Sequence, residues 1–160
     1  MQIEEKLAAL GLVLPPPMQA PSGMRLPFAP VQVRGNHAYV SGVGPLAPDG
    51  SFAEPLGKVG AELTVEQGYQ AARLTGLAIL AALQRQLGDL DRVSAWLRVF
   101  GMVNVAPGFV QTPNVINGFS DLIIELYGPE RGAHARSAVG LAELPMRIPV
   151  EIEAEVEIDG

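Results

Sequence analysis

Arg136 stands in a run of mostly small residues, His134-Ala-Arg136-Ser-Ala-Val-Gly140-Leu-Ala142, that reads as a strand. Alternation puts His134, Arg136, Ala138, Gly140 and Ala142 on one side, with Ala135, Ser137, Val139 and Leu141 on the other. A planar, permanently charged fork beside small neighbours suits bidentate capture of a small carboxylate. An ordinary Arg–Glu pair on a sheet surface is the competing reading. Glu151 begins a second pattern, in which Val150, Ile152, Ala154, Val156 and Ile158 alternate with Glu151, Glu153, Glu155 and Glu157. One face of that strand suits a core and the other carries four carboxylates. A carboxylate so placed can hold or deprotonate a water, and a merely solvated face is the plainer alternative. If the two strands pair through the Leu144–Ile148 turn, Arg136 is expected on the Glu face. A guanidinium left among Val and Ile would be a costly unpaired charge.

Composition removes other chemistries. There is no cysteine, so disulfides, thiolate metal sites and a thiol nucleophile are excluded. Two histidines, His37 and His134, are too few for a conventional transition-metal site, and neither a metal nor another cofactor is expected. The formal charge of −6 opposes nucleic-acid binding, which draws its affinity from Lys and Arg. The start, Met1-Gln-Ile-Glu-Glu-Lys6, has no basic-then-apolar leader, and no apolar stretch is long enough to span a bilayer. The expected address is the cytoplasm, without a membrane partner.

The elements that must position Arg136 and Glu151 follow from local signals. Ile3, Leu7 and Leu10 mark a short amphipathic helix closed by Gly11. Six prolines between Pro15 and Pro30 then exclude helix and central strand; an extended arm over the surface is expected, with a flexible linker between two domains as the alternative. Val31–Arg34 and His37–Ser41 flank Gly35-Asn36, a hairpin signal. Thr64-Val-Glu-Gln67 is a capping box opening a long helix that Gly88 ends. Trp96–Val103 reads as a strand. A second helix starts with Thr112 as N-cap and Pro113 at its first position, and stops at Gly128-Pro129. With Ala135–Leu141 and Pro149–Ile158 as the last strands, five or six strands and two long helices imply an α/β (α+β) layered sandwich. The expected organisation is one domain over residues 1–160: helix 1–11, arm 12–30 and core 31–158.

The stretch His134-Ala-Arg136-Ser-Ala-Val-Gly-Leu-Ala-Glu-Leu144-Pro145, leading to Val150-Glu-Ile-Glu-Ala154, resembles the carboxy-terminal signature of the RidA (YjgF, endoribonuclease L-PSP) superfamily. Val33-Arg-Gly-Asn36 with Tyr39-Val-Ser-Gly42 resembles its amino-terminal hairpin, and Gly60-Ala-Glu-Leu-Thr64 and Asn117 match in kind and order. The added helix and proline arm resemble its longer subgroup. The resemblance implies a chorismate-mutase-like fold, a mixed sheet covered by two helices, and a homotrimer with ligand sites between subunits. It further implies hydrolysis of short 2-imino acids, or their enamine tautomers, to 2-keto acids and ammonia. Arg136 would grip the substrate carboxylate and Glu151 would orient a water, with Phe28, Ser41 and Asn117 as pocket residues and His134 as an auxiliary acid or a plain surface residue. Phe28 and Val43 depart from that branch, where a Tyr and a Gln are expected, so a trimer that binds small carboxylates without turnover, or serves a regulatory role, is the alternative. Ribonuclease activity is disfavoured by the acidic balance, and a chorismate-mutase reaction would rest on fold analogy alone.

Overall fold

The computed structural model describes residues 1–160. In chain order the elements are α1 (Gln2–Ala9), β1 (Val31–Arg34), β2 (His37–Val43), α2 (Val65–Leu87), β3 (Val93–Asn104), α3 (Thr112–Arg131), β4 (Ala135–Leu141) and β5 (Val150–Ile158). Local signals set most of their ends. The β1–β2 turn closes on the Arg34–His37 pair, with Gly35 at φ 58°, a value glycine takes without steric cost. The capping box opens α2 as expected: Thr64 Oγ1 accepts from the Gln67 backbone N–H, and Gln67 Oε1 accepts from the Thr64 N–H.

Helix α3 departs from expectation at both ends. Gln111, not Thr112, is the N-cap, and the Thr112 hydroxyl donates instead to the Ala138 carbonyl of β4 at 3.0 Å. That bond ties the start of α3 to the sheet edge. Gly128 interrupts the helix with φ 80° and ψ 173°, but one further turn follows to Arg131.

The sheet has five strands in the order β1-β2-β5-β3-β4. β5 runs antiparallel to both β2 and β3, while β4 runs parallel to β3 along the edge. The expected β4–β5 pairing is therefore overturned. Twelve-residue β3 lies between them, and the Leu144–Ile148 connection carries the chain across it. The result is a mixed, α+β, chorismate-mutase-like sheet with its helices on one face.

The covered face holds the core. Val99, Val103, Val150, Ile152 and Val156 are buried beneath Leu80, Leu83, Ile116, Phe119 and Leu122. Each such side chain removed from water contributes about 1.5–3 kcal/mol. Trp96 meets Phe119 and Tyr127 edge-on, with ring centroids 5.8 and 5.7 Å apart. Ile3 and Leu7 bury the inner side of α1, whose Lys6 Nζ donates to the Leu126 carbonyl at 3.0 Å. Segment 12–30 has no regular structure and runs over the surface, tied at Gln19 N–H to Gly50 O and at Ser41 to Ala29 and Pro30. The opposite sheet face carries Tyr39, Arg98, Phe100, Met102 and the Glu row, and no helix packs on it.

Candidate functional site

Register assigns each candidate to a face. Arg136 pairs with Val99, and Ala138 with Gly101, whose would-be Cβ points at Ile116 of α3. Arg136 therefore lies on the helix side of the sheet, not on the Glu face as expected. The assumed penalty does not arise, because β4 is an edge strand and α3 supplies acceptors. Arg136 Nη1 donates to Asn117 Oδ1 at 2.9 Å and to Ser120 Oγ at 3.1 Å. Asn117 and Ser120 are one turn apart on α3, so both face β4. Nη2 and Nε make no bond within the chain, and no carboxylate lies within 4.0 Å of the guanidinium. Burial lowers its pKa while nearby Asp121 opposes that, and a guanidinium remains charged throughout.

The small residues beside Arg136 have a different use from the one expected. A Cβ on Gly140 would meet the Val105 side chain at 2.9 Å, so glycine there admits a neighbouring side chain rather than leaving open space. Arg136 stands on the edge strand β4, with its Nε and Nη2 left without a partner in the chain. Ser120 was not legible as part of the cluster. Its only signal is the single turn separating it from Asn117 on the face that holds Ile116 and Phe119.

Glu151 pairs with Met102 on the open face. Its Oε2 would lie 2.5 Å from a Cβ on Gly42, so the side chain rests against the bare backbone of β2. Burial, then the neighbouring Glu153 charge, raises its pKa above the ordinary carboxylate range. Only between the unfolded and the folded pKa does the native chain hold a proton that the unfolded chain has released, so the stability fully present below the unfolded value is lost as pH rises through the folded one. Glu151→Gln is expected to raise the melting temperature at pH 7 by about 1–2 °C, the effect of roughly 0.5 kcal/mol. Thermal melts at pH 7 check this; a lower midpoint would contradict it.

Phe28 is 57% exposed and lies over a cavity of about 310 Å³ between the arm, β2 and α2. Ser41, Val43, Leu46, Ala82 and Arg85 contribute to its walls. The Ser41 hydroxyl is committed to the Ala29 carbonyl at 2.7 Å, so it fastens the arm as well as lining the cavity. His37 Nε2 lies 3.7 Å from Glu155 Oε1.

The candidates thus form two groups. Arg136 and Asn117 meet at the β4 edge, while Phe28, Ser41 and Glu151 gather around β2. Three strand spacings separate β2 from β4, roughly 14 Å, and Arg136 and Glu151 project from opposite faces. One site containing both groups requires a second copy of the chain.

A family model described as "YjgF/chorismate_mutase-like, putative endoribonuclease" matches residues 4–149. The chain belongs to this family. It is 37% identical to protein TCP17 of Trypanosoma cruzi over 158 residues, covering 99% of this chain and 95% of that protein. The crystal structure of Atu1372 from Agrobacterium tumefaciens is 39% identical, with TM-score 0.87, over 99% of this chain and 93% of that one. That coverage includes α1 and the arm. Escherichia coli TdcF, solved with bound serine, is 19% identical with TM-score 0.62 over 86% of this chain and 92% of its own, a likeness of fold. No helix here is long and apolar enough to cross a membrane.

Proposed function

We propose that the protein hydrolyses short 2-imino acids, or their enamine tautomers, to 2-keto acids and ammonia. The cleft is shared by neighbouring copies in a homotrimer, without metal or other cofactor. The observation that carries this reading is the free Nε–Nη2 edge of Arg136, a half-buried cation with no carboxylate partner in its own chain. That edge matches the two oxygens of a carboxylate. TdcF, which shares the fold, holds serine, itself a small carboxylate.

With Arg136 on the substrate carboxylate, the imine carbon faces Glu151 of the adjoining copy. Glu151 takes a proton from water as the water oxygen bonds to that carbon. A raised carboxyl pKa suits this role, since the group exchanges protons nearer neutrality. Protonated Glu151 returns that proton to the nitrogen to give the carbinolamine; the hydroxyl proton then passes to the amine as the C–N bond breaks and C=O forms, and ammonia leaves. Phe28 and Leu26 line the adjacent cavity between the arm, β2 and α2, where Gly42 touches Glu151. RNA cleavage fits poorly: the net charge is −6, and the two imidazoles sit on opposite sides of the sheet order, on β2 and beside β4.

Purified protein is expected to accelerate ammonia release from 2-imino acids generated in situ by an amino-acid oxidase. No acceleration across a broad panel would end the enzymatic reading. Phe28 and Val43 lack the hydrogen-bonding groups expected there, which keeps a carboxylate-binding trimer as the second reading; binding of 2-keto acids without turnover would establish it. Gly42→Ala provides a local check, because its Cβ must displace the Glu151 carboxylate. Turnover is expected to fall about 10-fold or more, since misplacement by roughly 1 Å is costly. The melting temperature should stay within about 2 °C of wild type, because only the end of a flexible side chain moves. Unchanged kcat in the folded variant would separate Glu151 from the reaction.

A further inference from the structure

We propose that His134, in its neutral form, is a positioning residue for Arg136 and acts through the Ser120 hydroxyl. His134 Nδ1 lies 2.8 Å from the Gly132 carbonyl oxygen, which can only accept, so Nδ1 carries the ring proton. The Nε2 lone pair then faces Ser120 Oγ at 2.9 Å and takes its proton. The Ser120 oxygen is left to accept from Arg136 Nη1. Nη1 has two hydrogens; one goes to Ser120 and the other to Asn117, so this nitrogen is fully used. Pinning Nη1 on two fixed acceptors presents the Nε–Nη2 edge outward. Ser120 is 9% exposed, and the Phe119 ring stands edge-on to the imidazole with centroids 6.1 Å apart. Little room remains for another arrangement.

Protonation reverses the chain of donors. With both ring nitrogens donating, Nε2–H and Arg136 Nη1–H both point at one Ser120 oxygen, and the Ser120 proton loses its acceptor. Two cations then face each other across a hydroxyl. Arg136 is the charge that faces His134. Asp121 on α3 acts on Arg136 without forming an ion pair, and the remaining neighbours are the Phe119 ring and the Gly132 carbonyl. Burial, the largest influence on His134, lowers its pKa and so favours the neutral form at physiological pH.

The inference rests on Arg136 being the carboxylate anchor, and the test keeps the two claims apart. In ligand-free protein, NMR follows the two imidazoles and the Arg136 Nε–H signal through a pH titration. The Arg136 signal is expected to be narrow above the His134 titration point and broad below it. In Ser120→Ala it should be broad throughout, with the His134 pKa raised because the donor to its neutral form is gone. Pyruvate affinity is expected to fall about 10-fold as pH drops through that point, to stay nearly flat in His134→Gln, whose side-chain carbonyl still accepts from Ser120, and to keep its step in Glu151→Gln. An Arg136 signal indifferent to His134 protonation, or a flat wild-type affinity, would overturn the proposal. Ordering as described without any pyruvate binding would leave the positioning role standing and remove the proposed function instead.

Discussion

Alanine at position 136 is expected to slow imino-acid hydrolysis by about 10³-fold in kcat/KM, which corresponds to ~4 kcal/mol of transition-state stabilisation. Two charge-assisted hydrogen bonds of about 1.5–3 kcal/mol each account for a loss of that size. Positioning adds to it, because a short substrate has few other atoms to hold. Lysine in place of Arg136 should recover no more than about 10-fold: it keeps the charge but replaces a rigid fork by a point donor on a flexible stem. Asn117 and Ser120 were placed by α3 to receive two bonds from one planar nitrogen, a geometry lysine does not reproduce. Steady-state ammonia release on folded variants decides the matter. An alanine variant within about 3-fold of wild type would show that the carboxylate is held elsewhere.

Gly118→Ala should produce the largest loss of stability in the molecule. A Cβ there would lie 2.0 Å from the Tyr69 carbonyl oxygen and 3.2 Å from the Arg73 backbone nitrogen, both in α2. Neither can swing aside as a side-chain tip would, so α2 and α3 must separate. Gly76 belongs to the same close crossing; a Cβ on it would meet Leu122 at 2.9 Å. Overpacking against backbone at a buried crossing is expected to cost about 3–5 kcal/mol. In a chain of this length that lowers the melting temperature by roughly 6–20 °C. Because Asn117 adjoins Gly118, any folded fraction should also bind carboxylate more weakly. A melting temperature within about 2 °C of wild type would mean that the helices do not approach as described.

Features set by neighbouring residues could be read from the sequence. The Thr64–Gln67 box, the Gly35-Asn36 turn and the alternation of Val150–Ile158 each encode local geometry, and the structure reproduces all three. Strand order is not local. Consecutive strands usually pair, which favoured β4 beside β5, but β3 takes that place. The sequence did hold a clue: from Val99 to Val103, β3 is apolar on both faces, with Val99 and Val103 on one and Phe100 and Met102 on the other, as befits a central strand. Pairing β4 with β5 put Arg136 on the wrong face and hid its contact with Ser120, while His134, named beside it, was read as an auxiliary acid or a surface residue. Arg136 and Asn117, named separately from the sequence, are joined by a 2.9 Å bond. Glu151 and Phe28 lie nearer β2, away from Arg136, a division that pattern along a single chain does not reveal.

Complementation between chains offers the most direct test that Arg136 of one copy and Glu151 of another serve a single cleft. Arg136→Ala and Glu151→Gln proteins, each nearly inactive alone, would be unfolded together in equal amounts and refolded as mixed assemblies. In a closed ring each cleft draws one residue from either neighbour, so about one quarter of clefts should regain both groups and ammonia release should return to about a quarter of the wild-type rate. Activity no higher than that of the separate variants, in assemblies shown to be mixed, would contradict a site shared between chains.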